Sequence, residues 1–254
     1  MTTISRRRLL GGIGGGAAAF AAPNLIPFGF PQAEAATPST KHQWVVVIDM
    51  RRCDGCGVCT EACQAAHHLP KDHEWIKVEK KTTKSGQEFY MPRICMQCEN
   101  APCIRVCPVG ASFKDAEGVN LVDQNKCIGC RMCMAACPYG ARYFNDEDPA
   151  PFNNPFGKPT PQFPVPQQKG TVGKCMFCVH RTMAETGALP ACVEGCNMFA
   201  LYIGDLITDI ATNGRETVRL SQFLKDNDAW RYKEELHTGP RVYYISGHGQ
   251  DLGF

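Results

Sequence analysis

Residues 127–138 read Cys127-Ile-Gly-Cys130-Arg-Met-Cys133-Met-Ala-Ala-Cys137-Pro138: three cysteines two residues apart, then a fourth after three more. Three other groups vary this run. Upstream stand Cys53-x2-Cys56-x2-Cys59-x3-Cys63 and Cys95-x2-Cys98-x4-Cys103-x3-Cys107-Pro108; downstream stands Cys175-x2-Cys178-x13-Cys192-x3-Cys196. The four groups hold all 16 cysteines of the 254-residue chain. A residue type confined to one block in this way marks a site rather than bulk packing. The remaining composition is ordinary, 44% hydrophobic and 20% charged, which excludes a disordered, collagenous or coiled-coil protein. Lys+Arg 27 against Asp+Glu 25 leaves no bulk basic charge to grip a nucleic acid. Beyond residue 30 no apolar run approaches the ~20 residues of a membrane span.

The spacing has a chemical reason. Two residues between thiolates let one tight loop wrap three corners of an iron–sulfur cubane, and Gly55, Gly57 and Gly129 permit close backbone approach. Backbone N–H groups of such a loop point at the sulfurs and stabilise their negative charge. This is the bacterial ferredoxin run for [4Fe–4S] clusters. Pro108 and Pro138 follow the fourth cysteine as in that run, whereas Gln64 and Asn197 do not, so groups one and four are the looser matches. Three rivals fit worse. Eight disulfides would need bridges among cysteines too closely spaced to pair. Zinc sites show two C-x2-C halves, not a three-plus-one pattern. Covalent haem needs C-x-x-C-H, but Val179 separates Cys178 from His180.

In two-cluster ferredoxins the fourth cysteine of each run ligates the other run's cluster. Groups two and three are the closer matches and adjacent in sequence, which predicts one complete unit. Cys95, Cys98, Cys103 and Cys137 then form set C, and Cys107, Cys127, Cys130 and Cys133 form set D. By elimination group one pairs with group four: Cys53, Cys56, Cys59 and Cys196 form set A, and Cys63, Cys175, Cys178 and Cys192 form set B. A sequential pairing, one with two and three with four, stays open on spacing alone.

Longer stretches sharpen the reading: Pro92-Arg-Ile-Cys95 with Asn100-Ala-Pro-Cys103, Cys137-Pro-Tyr-Gly-Ala-Arg142, Cys178-Val-His-Arg181 and Leu189-Pro-Ala-Cys192-Val-Glu194. The chain resembles the four-cluster iron–sulfur subunits of the dimethyl sulfoxide reductase family, particularly the exported ones of tetrathionate, polysulfide and thiosulfate reductases. It is also similar to the exported iron–sulfur protein of the sulfite-reduction-associated transmembrane complex. The resemblance implies the nested pairing, a molybdopterin catalytic subunit and an integral membrane quinone-interacting subunit as partners. In the nitrate reductases of this kind a tryptophan stands where Cys130 stands here, giving a three-iron cluster. Cys130 therefore implies four four-iron clusters.

The flanks add an address. Arg6 and Arg7, then Arg8-Leu-Leu, a glycine-rich apolar stretch and Ala33-Glu-Ala35 resemble a twin-arginine signal cleaved after Ala35, hence a folded, periplasmic protein at the membrane periphery. Left uncleaved, the segment would be an anchor over residues 9–30, interrupted by Pro23 and Pro27. The expected organisation is a signal (1–35), a first cluster-binding segment (36–94), an inner two-cluster module (95–145), a Pro-rich insertion (146–170), a segment completing the outer module (171–205) and a tail (206–254). Strands are expected over 44–49, 75–80, 119–123, 142–145, 200–204 and 241–245, and helices after the fourth cysteines, over 63–68, 107–111 and 137–140. That is an α+β fold of duplicated ferredoxin-like modules. The insertion reads as a surface loop and the tail as a cover with Phe223, Trp230 and Tyr232 in its core. Arg52, Lys126, Arg131, Lys174 and Arg181 abut the cysteines and would raise cluster potentials. His67, His68 and His180 read as structural.

No nucleophile–base pair, paired carboxylates or nucleotide-binding loop offers bond chemistry. The predicted function is a non-catalytic subunit relaying electrons through four [4Fe–4S] clusters, between a membrane quinone or cytochrome partner and a redox enzyme of sulfur-compound respiration. The alternatives are a free periplasmic ferredoxin shuttle and a relay lacking its own molybdoenzyme. A catalytic cluster with an open iron would need a missing cysteine, and sixteen for four clusters leaves none missing.

Overall fold

In the computed structural model, residues 42–155, 157–182 and 187–246 are described. The signal residues Arg6, Arg7 and Ala35 and the end of the tail lie outside them. The sheet starts from β1 (Trp44–Asp49), whose Val45, Val46, Val47 and Ile48 are all buried. Alternating side chains of a strand point to opposite faces. Val46 and Ile48 enter the core that holds the cysteines, while Val45 and Val47 enter a second core with Tyr202, Ala211, Leu220 and Ile245. A strand covered on both faces reads as a continuous apolar run, with burial contributing on the order of 2 kcal/mol per aliphatic side chain.

β1 lies inside a five-stranded sheet of order β10 (Thr217–Arg219), β9 (Ile210–Thr212), β8 (Leu201–Asp205), β1 and β11 (Val242–Ile245). β8 runs antiparallel to β1 with Val46 opposite Ile203, and β11 runs parallel with Val46 opposite Val242. β9, β10 and helix α6 (Leu220–Asp226) complete this layer. The register fixes what the cysteines do. Ile48 pairs with Leu201, so the end of β1 that leads into group one meets the start of β8, which follows group four.

Groups one and two are separated by a hairpin, β2 (Ile76–Thr82) and β3 (Glu88–Ile94), in register from Ile76–Ile94 to Thr82–Glu88. Its Ile76, Phe89, Met91 and Ile94 are buried in the cysteine-bearing core. Two shorter pairs follow, β4 (Ser112–Lys114) with β5 (Asn120–Val122), and β6 (Tyr143–Phe144) with β7 (Val172–Gly173).

The helices correct the sequence reading. α1 (Val58–His67) begins before Cys59, and α2 (Pro102–Arg105) and α3 (Met132–Ala135) end before Cys107 and Cys137. Each therefore carries the third cysteine of its group and stops short of the fourth, except α1, which carries Cys63 too. The cause is local: Pro108 and Pro138 push the preceding residue out of the helical region, and Gln64 imposes no such stop on α1. α4 (Val179–Thr182) and α5 (Ala191–Glu194) are equally short.

The Pro-rich insertion is only partly a surface loop. Phe163, Val165 and Gln167 are buried, and Gln167 Oε1 accepts a hydrogen bond from Gln124 Nε2 at 2.6 Å. Within the tail, Phe223 packs on Tyr202 and Trp230 stacks on Tyr244, at centroid distances of 5.1 and 5.2 Å. The tail does more than cover: Arg241 N donates to Met96 O at 2.8 Å and Glu99 N to Gly239 O at 2.8 Å, tying residues 239–241 to group two.

Candidate metal centres

None of the sixteen cysteines forms a disulfide. Among the described residues no three His, Cys, Asp or Glu side chains converge to hold a single metal ion. The thiols instead stand around spaces, as a cubane with an iron at each corner requires. Cys53, Cys56, Cys59 and Cys196 line one cavity together with Val78, Pro92 and Leu201. Cys95, Cys98, Cys103 and Cys137 line a second, with Ala101, Tyr139 and Arg142.

The first cavity follows from the β1–β8 register, which delivers Cys53 and Cys196 to the same end of the sheet. Beside it α5 packs on α1. The approach is so close that a Cβ on Gly195 would stand 2.6 Å from Ala62 Cβ. Cys59 and Cys63, four residues apart, share the buried face of α1. Cys63 acts electrostatically with Cys175 and Cys178, and Cys192 with Cys178, Cys63 and Cys175. Those four form a third convergence. The fourth is looser. Cys133 acts with Cys127, Cys107 Sγ accepts from Ser112 N at 3.4 Å, and Cys130 is exposed.

Burial makes these thiols poor thiolates without a metal. It pushes Cys59, Cys98 and Cys175 up to about 12 and Cys53 and Cys178 up to about 11, and neighbouring cysteines add to the rise for Cys53, Cys59, Cys98 and Cys175. An iron core supplies the positive charge that such a set lacks, which couples cluster binding to folding. Backbone amides assist: Ala200 N donates to Cys196 Sγ at 3.3 Å, and hydrogen bonds to sulfur also tune potential. The donor set fits [4Fe–4S] clusters.

Loop geometry at Cys127–Cys130 depends on Gly129, which has φ +67° and whose added Cβ would lie 2.2 Å from Gly170 O. No other residue fits that contact.

Among the basic residues singled out, Arg52 pairs with Glu216 and Asp49, Lys126 with Asp123 and Arg181 with Glu194, while Arg131 lies over the Phe144 ring. Only Lys174 is buried, with Nζ donating to the carbonyls of Asn120 and Cys175. Two residues beside the cysteines were assigned to no site by the sequence. His67 is buried, its Nε2 3.1 Å from Cys178 Sγ. Burial holds the ring neutral, its pKa pushed down to about 3. Nδ1 has no partner, and an iron-bound Cys178 sulfur can only accept, so in the cluster-loaded protein the single proton belongs on Nε2 and points at sulfur. His180 packs against His67 and Phe163, and His68 against Phe152. The second missed residue is Arg142, buried beside Cys103 and Cys133; its place in the Cys137-Pro-Tyr-Gly-Ala-Arg142 stretch was the available signal.

Known proteins carry the same pattern over most of the chain. Two family models match, each described as a 4Fe-4S dicluster domain, one over residues 86–151 and one over residues 34–111. A selenate reductase subunit of Mesobacillus selenatarsenatis is 37% identical over 224 residues, covering 82% of this chain and 74% of the relative. A tetrathionate reductase subunit of Salmonella typhimurium is 34% identical over 229 residues (85% and 80%). The iron-sulfur cluster-binding subunit of a menaquinone reductase from Nitratidesulfovibrio vulgaris is 38% identical over 234 residues (81% and 89%). The chain belongs to the iron–sulfur subunits of the dimethyl sulfoxide reductase family. As a member of that family it carries four [4Fe–4S] clusters on its sixteen cysteines and transfers electrons without catalysing a substrate reaction itself. Its fold is that of 4Fe-4S dicluster, ferredoxin-like domains with mixed helix and strand. The two family matches overlap over 86–111, the whole of group two, and so offer it two partners, group one and group three.

Proposed function

We propose that the protein is the electron wire of an exported respiratory reductase complex, with its clusters held by sets A, B, C and D and arranged in that order. The nested pairing makes residues 36–94 and 171–205 one outer module around the inner module 95–145, with 146–170 inserted and 206–254 as the tail. One observation carries the reading: cysteines of successive sets lie within electrostatic reach of one another. Cys59 of set A acts on Cys63 and Cys192 of set B, Cys175 of set B on Cys95 of set C, and Cys103 of set C on Cys133 of set D. The packing of α1 on α5 and of α2 on α3 supports joining group one to four and two to three, over the alternative partner for group two. Within set D, Cys133 and Cys127 act on one another.

The protein's part is to hold each cluster at a fixed place and potential; the substrate chemistry belongs to a partner. The relatives' names cover selenate, tetrathionate and menaquinone, which supports a terminal reductase of an oxyanion or sulfur compound at one end and a quinone-linked membrane subunit at the other. A molybdopterin subunit is the expected catalytic partner. Residues 1–35 would route the folded, cluster-loaded chain through the twin-arginine pathway to the periplasm, with cleavage after Ala35. Among the described residues no helix is long and apolar enough to cross a membrane.

Cysteine variants followed by EPR test the pairing. Cys53→Ser and Cys196→Ser should alter the same cluster, although they belong to groups at opposite ends of the block. Cys196→Ser altering the cluster that Cys130→Ser alters would instead establish the sequential arrangement.

A further inference from the structure

Arg142 stands just before β6 and only 4% of its surface is exposed. A guanidinium keeps its charge at any physiological pH. Nη1 donates to Ser112 Oγ at 2.9 Å, while Nε and Nη2, both buried, meet no oxygen acceptor and the guanidinium's other side-chain hydrogen-bond partners are the sulfurs of Cys103 and Cys133. Among the described residues no carboxylate pairs with it, in contrast to Arg52, Arg93, Arg181 and Arg241. Lys174, also buried, differs because carbonyl oxygens satisfy its ammonium. A buried, unpaired charge is costly unless an anion lies beside it. The groups placed to act on Arg142, anionic once they ligate iron, are the sulfurs of Cys103, Cys133 and Cys95. Arg142 also lines the cavity of Cys95, Cys98, Cys103 and Cys137. Cys103 belongs to set C and Cys133 to set D, so one cation faces the thiolates of two neighbouring clusters.

We propose that Arg142 is the shared counter-charge of clusters C and D, a positioning residue that raises both midpoint potentials and keeps the junction between them reducible. A fixed positive charge in a low-dielectric site favours the added electron on either side of it. The Nε–H and Nη2–H bonds, which meet no oxygen acceptor, are the donors available to the sulfurs of Cys103 and Cys133. The inference rests on the ligand sets proposed above.

The test is an EPR-monitored redox titration of the cluster-loaded protein in its purified complex, for wild type, Arg142→Gln and Arg142→Lys. Cys130→Ser and Cys137→Ser independently identify the signals of clusters D and C. Arg142→Gln should move those two midpoints to more negative potential and leave the other two in place, and Arg142→Lys should restore them most of the way. Unchanged midpoints in Arg142→Gln, a shift shared by all four clusters, or a lysine variant displaced as far as the glutamine variant would overturn the proposal. If Arg142→Gln loses clusters, the lysine variant decides: loading with near-native midpoints supports a charge role, and loss of clusters despite the retained charge refutes it. A shift confined to the signals of sets A and B would sink this inference while leaving the ligand sets standing. Cysteine variants that fail to sort into the four sets would sink the sets themselves.

Discussion

Replacing Gly129 by alanine places a methyl group 2.2 Å from Gly170 O, at a residue whose φ is +67°. The left-handed backbone alone costs an L-residue about 1–2 kcal/mol. Relieving the overlap adds to this, because the obstacle is backbone and is itself held. Gly170 N donates to Asn145 O at 2.6 Å, and Asn145 N to Thr171 O at 2.9 Å. Displacing residues 170–171 strains both bonds, at roughly 1 kcal/mol net each, for a total of about 3–4 kcal/mol. Gly140→Ala is the matched control, since φ there is +60° but nothing lies within 4 Å of the new Cβ. The two variants share the backbone penalty and differ by the clash, so Gly129→Ala should be the less stable by about 2 kcal/mol. In anaerobic thermal unfolding at one scan rate, that difference corresponds to a midpoint lower by about 4–8 °C in a domain of this size. Gly129 lies between Cys127 and Cys130, so the cluster held by that loop should be the first lost. Equal midpoints for the two variants would refute the claim that backbone proximity, rather than φ alone, demands glycine here.

Other predictions concern the hydrogen bonds and the cores. His67→Leu removes the N–H···S contact to Cys178 and should lower the midpoint of one cluster by up to ~60 mV, the one-electron equivalent of ~1.4 kcal/mol; a redox titration showing no displaced signal would contradict it. Asp205 accepts from Gln43 N at 2.7 Å and Ile207 N at 3.0 Å. Burial opposes its ionisation, but these bonds and those from His42 and Thr208 hold its pKa below the ordinary carboxylate value. Its contribution is therefore fully present above about pH 4 and lost as pH falls through the lower folded value. Asp205→Asn should cost ~1–3 kcal/mol, equally at pH 7 and pH 5, and a penalty that fades by pH 5 would show that the charge is not the cause. Removing iron should dissolve the core that contains Cys59, Cys63, Cys98, Cys103 and Cys133, while amides around Val45, Val47, Tyr202 and Ile245, whose core has no cysteine, keep more protection in hydrogen exchange.

The sequence showed the metal-binding residues because iron–sulfur ligation depends on residue type and short spacing, both visible in one dimension. β1 was equally plain, since residues 44–48 are all apolar and residues 45–48 are buried on both faces. β3 was missed because Pro92 stands inside it; a two-stranded ribbon has only edges, where proline is tolerated. The three-residue strands β9 and β10 bury one side chain between them, too little to form a pattern. Four-residue helices such as α2 and α3 offer no periodicity, so the reading placed helices beyond the fourth cysteine although the prolines there argued the reverse. Arg142 and His67 escaped for a different reason. Their meaning lies in burial without a conventional partner, which no local spacing announces.

Whether sixteen thiolates hold four cubanes is decided by iron and acid-labile sulfide per polypeptide in anaerobically purified protein. Four cubanes require about sixteen of each, four per cluster, in complex-derived and singly expressed material alike. Eight or fewer irons, or zinc in their place, would contradict it.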